Sequence, residues 1–340
     1  MRPHTVRILA AGAAAALAAL ALAPAQAATA HYEATMLQDL DASTTTAGCT
    51  LTGEAPVHAS DSWAGSTLTR TSTVHRVVTK DSDDTDTTTY DGTTTSSLSL
   101  DESPSGRIVA GTFEASYSSV LTSALGASSA CAMDGATQAL VGVEFETSRD
   151  GWLTVHAAKT AGGGAGVQLT AETDGPSVMS IDLDRGFKTT STRTYFLPAG
   201  PYVLQAVSRA PVRSSSDSSR LLQNAGHLAV DFALVDAGTA TGPATGAGRT
   251  YLRLPSVRTC SDLTLTATWR GAARTVSLAR FFVGQDNLLS VRNPKPGAKV
   301  VLRSLPDDRD AVVWVALVLD ADHGERPAEA SVSRTYLPCA

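Results

Sequence analysis

Three sets of residues have the types and spacing that chemistry needs. The first is Glu144 with His156. Val143-Glu144-Phe145-Glu146 and Leu153-Thr154-Val155-His156-Ala157 alternate apolar and polar residues, and Arg149-Asp150-Gly151 between them reads as a three-residue hairpin turn. That register sets Phe145 against Val155 on the buried side and Glu144 against His156 on the outer side, beside Trp152 and Thr154. A carboxylate opposite an imidazole can orient it for acid–base work or metal binding. A solvated cross-strand ion pair is the simpler reading. The second set is the acidic run Asp81, Asp83, Asp84 and Asp86, with Asp91 nearby. Closely spaced carboxylates on a turn suit Ca²⁺, which takes six to eight oxygens. The D-x-D-x-D-G order is absent, so a plain solvated hairpin tip is the simpler reading. Asp320, Asp322, His323 and Glu325 form a second acidic turn. The third set is aromatic. Trp63 and Trp152 fall outside core alternation, and flat rings bind sugar faces; burial at a domain boundary is the simpler reading. Trp269 and Trp314 alternate into core faces and read as structural.

No catalytic residue stands out beyond these. The chain holds no G-x-S-x-G, no H-E-x-x-H, no phosphate loop and no dinucleotide fingerprint. No cofactor is expected apart from Ca²⁺ at the acidic run. Lys+Arg is 27 against Asp+Glu 33, and no stretch is dense in basic residues, which excludes nucleic-acid binding driven by bulk charge.

The elements that must position these residues begin after a leader. Arg2 and Arg7 precede an apolar run from Ile8 to Ala23, and Ala25-Gln26-Ala27 offers a cleavage site. Residues 1–27 therefore read as a signal peptide, giving a secreted, extracellular protein with no membrane attachment after cleavage. Four cysteines in such a chain imply two disulfides, with three possible pairings. Cys49–Cys131 with Cys260–Cys339 is favoured, because each bridge then stays within one half of the chain. No C-x-x-C is present to suggest a redox or zinc role.

Three segments follow. Residues 31–134 read as a Ser/Thr-rich α+β domain. It has a hairpin made of 65–80 and 85–100, and a helix over 108–125 from the spacing of Phe113, Tyr117, Val120, Leu121 and Leu125. Residues 137–237 carry many short alternating strands and read as a β-sandwich. Gly238 to Gly248 reads as a linker. Residues 249–340 read as an immunoglobulin-like sandwich, with Leu263 to Trp269 half-buried and the apolar run Ala311 to Leu319 as a central buried strand. The fold class is mainly β: a small α+β domain followed by two sandwiches.

Residues 139–236 resemble the bacterial pre-peptidase C-terminal type of β-sandwich. The resemblance rests on the opening hairpin around Phe145 and Trp152, the segment Leu197-Pro198-Ala199-Gly200-Pro201-Tyr202-Val203, and a closing strand at Leu228–Val235. It implies a non-catalytic module that binds ligands or assists secretion. The leading expectation is thus a secreted binding or adaptor protein whose partner is a glycan, cell wall or secreted protein. A structural extracellular protein and a hydrolase centred on Glu144 and His156 are the alternatives. An exposed aromatic patch would favour binding, and a pocket gathering histidine and carboxylates would favour the enzyme.

Overall fold

A computed structural model describes residues 32–103, 107–171, 175–183, 189–214, 221–320 and 328–340. The expected signal peptide and most of the second acidic turn, 321–327, lie outside the described residues. Thirteen strands come from the first two thirds of the chain. They are β1 (Tyr32–Ser43), β2 (Cys49–Gly53), β3 (Val57–Ser62), β4 (Leu68–Lys80), β5 (Asp83–Glu102), β6 (Ile108–Ser123) and β7 (Asp134–Thr147), then β8 (Gly151–Ala161), β9 (Gly164–Ala171), β10 (Ser177–Asp182), β11 (Thr190–Leu197), β12 (Gly200–Arg213) and β13 (Gln223–Asp236). They form a six-stranded sheet ordered β10-β9-β12-β7-β1-β3 and a seven-stranded sheet ordered β11-β8-β13-β6-β5-β4-β2.

These two sheets pack face to face across a core that is partly polar. Leu40, Val74, Val78, Tyr90, Leu121 and Met133 form one apolar cluster. Beside it, Gln38 on β1 donates its side-chain amide to the Arg70 carbonyl on β4 and to Ser96 Oγ on β5, both at 3.0 Å. Ser72 Oγ donates back to Gln38 Oε1 at 2.6 Å. Ser119 Oγ donates to the Ala210 carbonyl at 2.7 Å and accepts from the Thr137 amide. Buried hydroxyls and amides are tolerable only when paired in this way, and they let Ser/Thr-rich strands face inward where aromatics are scarce.

The mainly β class holds, but the expected helix over 108–125 is a strand. Phe113, Tyr117 and Leu121 are four apart, a spacing that period 3.6 and period 2 share. Burial decides between them, since Phe113, Ala115, Tyr117, Ser119 and Leu121 are all buried while Thr112, Glu114 and Ser116 are exposed. Gly111 and the hydroxyl-rich composition weaken the helical alternative as well.

The expected β7–β8 hairpin is also corrected. The two strands lie in different sheets, because β7 already has β12 on one side and β1 on the other. Ala139 to Val143 is buried without interruption, as suits a central strand. The segments 31–134 and 137–237 do not build separate sheets either: β1 pairs with β7 and β6 with β13, so both sheets mix strands from both segments.

By compactness the chain divides into two units. The first runs to Glu146 and includes Thr154–Arg193 and Gly200–Ala233; the second comprises Thr147–Leu153, Thr194–Ala199 and Leu234–Ala340. The second unit adds β14 (Leu252–Arg253), β15 (Leu265–Trp269), β16 (Val276–Val283), β17 (Asp286–Arg292), β18 (Lys299–Leu302), β19 (Ala311–Leu319) and β20 (Glu329–Tyr336). A three-stranded sheet, β14-β15-β18, and a four-stranded sheet, β17-β16-β19-β20, enclose one apolar core. Trp269 and Phe281 meet edge to face there, 6.1 Å between centroids. Residues 238–248 are not a free linker. They run beside β20 through bridges at Ala240–Tyr336 and Thr245–Ser333. Gly248 is needed for that approach, since a Cβ there would lie 2.7 Å from the Ser331 carbonyl carbon. Both disulfides have the favoured pairing, Cys49–Cys131 and Cys260–Cys339.

Candidate functional site: an exposed aromatic sheet face

The structure separates Glu144 from His156. Glu144 lies opposite Glu33 of β1, and the two carboxylates share one face. Burial, and then the facing Glu33 charge, push the Glu144 carboxyl above the ordinary carboxylate range. His156 is exposed on β8, its Nδ1 2.8 Å from Thr192 Oγ1 on β11. No acid–base couple forms from this pair.

The acidic run does make a hairpin tip, since β4 pairs with β5 and Lys80 stands opposite Asp83. Its carboxylates turn to separate partners, however. Asp81 accepts from Thr50 Oγ1 at 2.6 Å. Asp83 accepts from the Thr85 hydroxyl and amide. Asp86, only 2% exposed, accepts from Ser129 Oγ at 2.6 Å and the Ala130 amide at 2.8 Å. Those two donors, the hydroxyl first, hold its carboxyl below the ordinary range. Among the described residues no three histidine, cysteine, aspartate or glutamate side chains converge as metal ligands.

The two tryptophans singled out from sequence have different surroundings. Trp152 is held within the second unit, its indole N–H donating to the Pro338 carbonyl at 3.0 Å and its ring edge-on to Phe196 at 5.2 Å. Trp63 is half-buried and lines a shallow cleft with Glu33, Ser62 and Glu102.

The aromatic surface lies elsewhere, and it corrects the reading of Trp314 as a core residue. In β19 the inward side chains Ala311, Val313, Val315 and Leu317 are buried. The outward ones are not: Val312 is 43% exposed and Trp314 40%. Trp314 stands opposite Phe282 of β16, their rings 4.8 Å apart and inclined by 37°. Strand alternation adds the rest of the face. Arg280 lies two residues before Phe282, opposite Ala316 on one side and Ser290 of β17 on the other. Ser331, Ser333 and Thr335 of β20 stand opposite Ala316, Trp314 and Val312. Beyond β20, Thr245 Oγ1 lies 2.9 Å from Ser333 Oγ. The result is a paired aromatic platform framed by hydroxyls and an arginine.

A sequence signal for this face existed. Arg280 sits mid-strand between Ala279 and Phe281, both buried in the core, so the side of β16 that carries it faces water. Phe282 shares that side, and any neighbour paired with it must be outward too. The continuous apolar run of β19 hid the fact that only one of its faces is covered.

The chain matches no protein-family model and no curated protein. Among solved structures it is similar to the adhesin domain of Epf from Streptococcus pyogenes at 10% identity, over 58% of this chain and 75% of that one, with a TM-score of 0.18. A GH2 beta-galacturonidase from Eisenbergiella tayi, bound to galacturonate, matches at 12% identity over 58% of this chain and 34% of that one, with a TM-score of 0.15. A multidomain portion of Extended-Synaptotagmin 2 matches at 9% identity over 91% of this chain and 90% of that one, with a TM-score of 0.15. At such scores the likenesses carry neither fold nor function to this chain.

Proposed function

We propose that the protein is an extracellular, non-catalytic binding protein whose contact surface is the outer face of the four-stranded sheet. One observation carries the reading: Trp314 and Val312 are exposed side by side, with Trp314 stacked on Phe282. Leaving large apolar side chains in water forgoes roughly 25 cal/mol per Å² of burial, and a contiguous aromatic patch marks a place where something docks. Two disulfides support an extracellular setting, as does the leader-like sequence at residues 1–27. Among the described residues no helix is long and apolar enough to cross a membrane.

The test is retention of the purified chain on cell-envelope polysaccharide and on immobilised secreted proteins, with W314A alongside. Retention on one of these that falls at least tenfold in W314A, at an unchanged melting temperature, supports the reading. Retention that W314A leaves intact overturns the assignment to this face.

A further inference from the structure

Building on that reading of the outer face, we propose that its ligand is an acidic polysaccharide, with a pyranose ring stacked on the Trp314–Phe282 platform and sugar carboxylates held by Arg280 and Arg292. The charge on this face favours an anionic ligand. Arg280 and Arg292 are both exposed on the outward side of neighbouring strands. Arg292 stands opposite Leu278 and Arg280 opposite Ser290, so the two arginines are diagonal neighbours on one face, roughly 7–8 Å apart at the backbone. Among the described residues neither guanidinium takes an ion-pair or hydrogen-bond partner. Among the described residues the carboxylates nearest this face stand at strand ends: Asp286 at the start of β17, Asp310 and Asp320 on either side of β19, and Glu329 at the start of β20, opposite Val318. A planar guanidinium offers the fork that matches a carboxylate. The chain carries a net charge of −6, but charges beyond about 8 Å are largely screened at physiological salt, so the local pair governs contact.

The extent of the apolar area suits a small contact. Trp314, Phe282, Val312 and Leu288, with Leu278, Ala316 and Val318 half-buried beside them, expose a narrow apolar strip, short of the roughly 800 Å² per partner that a stable protein interface buries. They suit a single sugar ring, whose apolar face stacks on an aromatic as other flat rings do. The surrounding hydroxyls, Ser290, Ser331, Ser333, Thr335 and Thr245, supply donors and acceptors for the ring's own hydroxyls. A nucleic acid would meet two arginines on a face otherwise neutral, too few for backbone-driven binding.

The experiment measures retention of the purified full chain on immobilised alginate and hyaluronan and on their carboxyl-reduced forms, at physiological salt. The chain is expected to bind at least one of the two acidic polymers, and at least tenfold more weakly once the carboxylates are reduced. W314A should lose binding to that polymer. R280Q/R292Q should bind it no better than the wild type binds the reduced polymer, with an unchanged melting temperature. Equal retention on acidic and reduced polymer, abolished by W314A, overturns the acidic class while leaving the contact face standing. Absence of retention on both acidic polymers overturns the acidic class in the same way. Wild-type binding by R280Q/R292Q overturns the role of the arginines. Polysaccharide binding indifferent to W314A overturns both this inference and the reading on which it rests.

Discussion

Glu144 and Glu33 face each other across β7 and β1, and the repulsion between like charges there is set by pH. Burial and the Glu33 charge raise the Glu144 carboxyl above its ordinary value of 4.5. A group raised in the folded state contributes fully below its unfolded pKa and loses that contribution as pH rises through the folded one. E144Q should therefore melt higher than the wild type at pH 7 and no higher at pH 4. An identical melting difference at both values would show that ionisation of this carboxyl is immaterial. The sequence made Glu144 look like a partner of His156 because both lie on alternating strands joined by a short turn. Alternation was legible, and so was the face on which each residue sits. The strand partner was not, because pairing depends on which edges remain free, and β7 has none.

Among the elements, strands were legible wherever inward and outward residues differ in polarity, as in β15. β6 was misread because the spacing of its aromatics fits either period, and its inward hydroxyl, Ser119, disguised the strand. β19 was placed and bounded correctly, but its outward face is as apolar as its inward one, so the pattern could not say that one side is wet. A pair of truncations reads the two faces directly. V315A, inside the core, should cost about 2 kcal/mol, the usual scale for a buried valine losing two methyl groups. V312A should cost less than about 1 kcal/mol, because its side chain is 43% exposed. Urea unfolding measures both, and equal costs would mean that the outer face is covered.

For the molecule as a whole, the disulfide framework was the most legible feature and the domain plan the least. Each bridge closes about eighty residues within its own half, and the sequence offered no shorter way to pair four cysteines within halves. The domain boundary near residue 135 failed because the sandwich returns to its first strands late, when β7 joins β1 and β13 joins β6. The Gly-rich segment 238–248 looked like a linker because glycine suits flexible chain; here it suits close backbone contact with Ser331. The exposed Trp314–Phe282 face was not legible, because it depends on the register of β16 and β19. The decisive measurement of the proposed binding role is hydroxyl-radical footprinting of the chain, free and in the presence of alginate or hyaluronan. Labelling of Trp314 should fall several-fold on binding while that of Trp63 stays constant. Undiminished labelling of Trp314 in the bound chain would contradict the account.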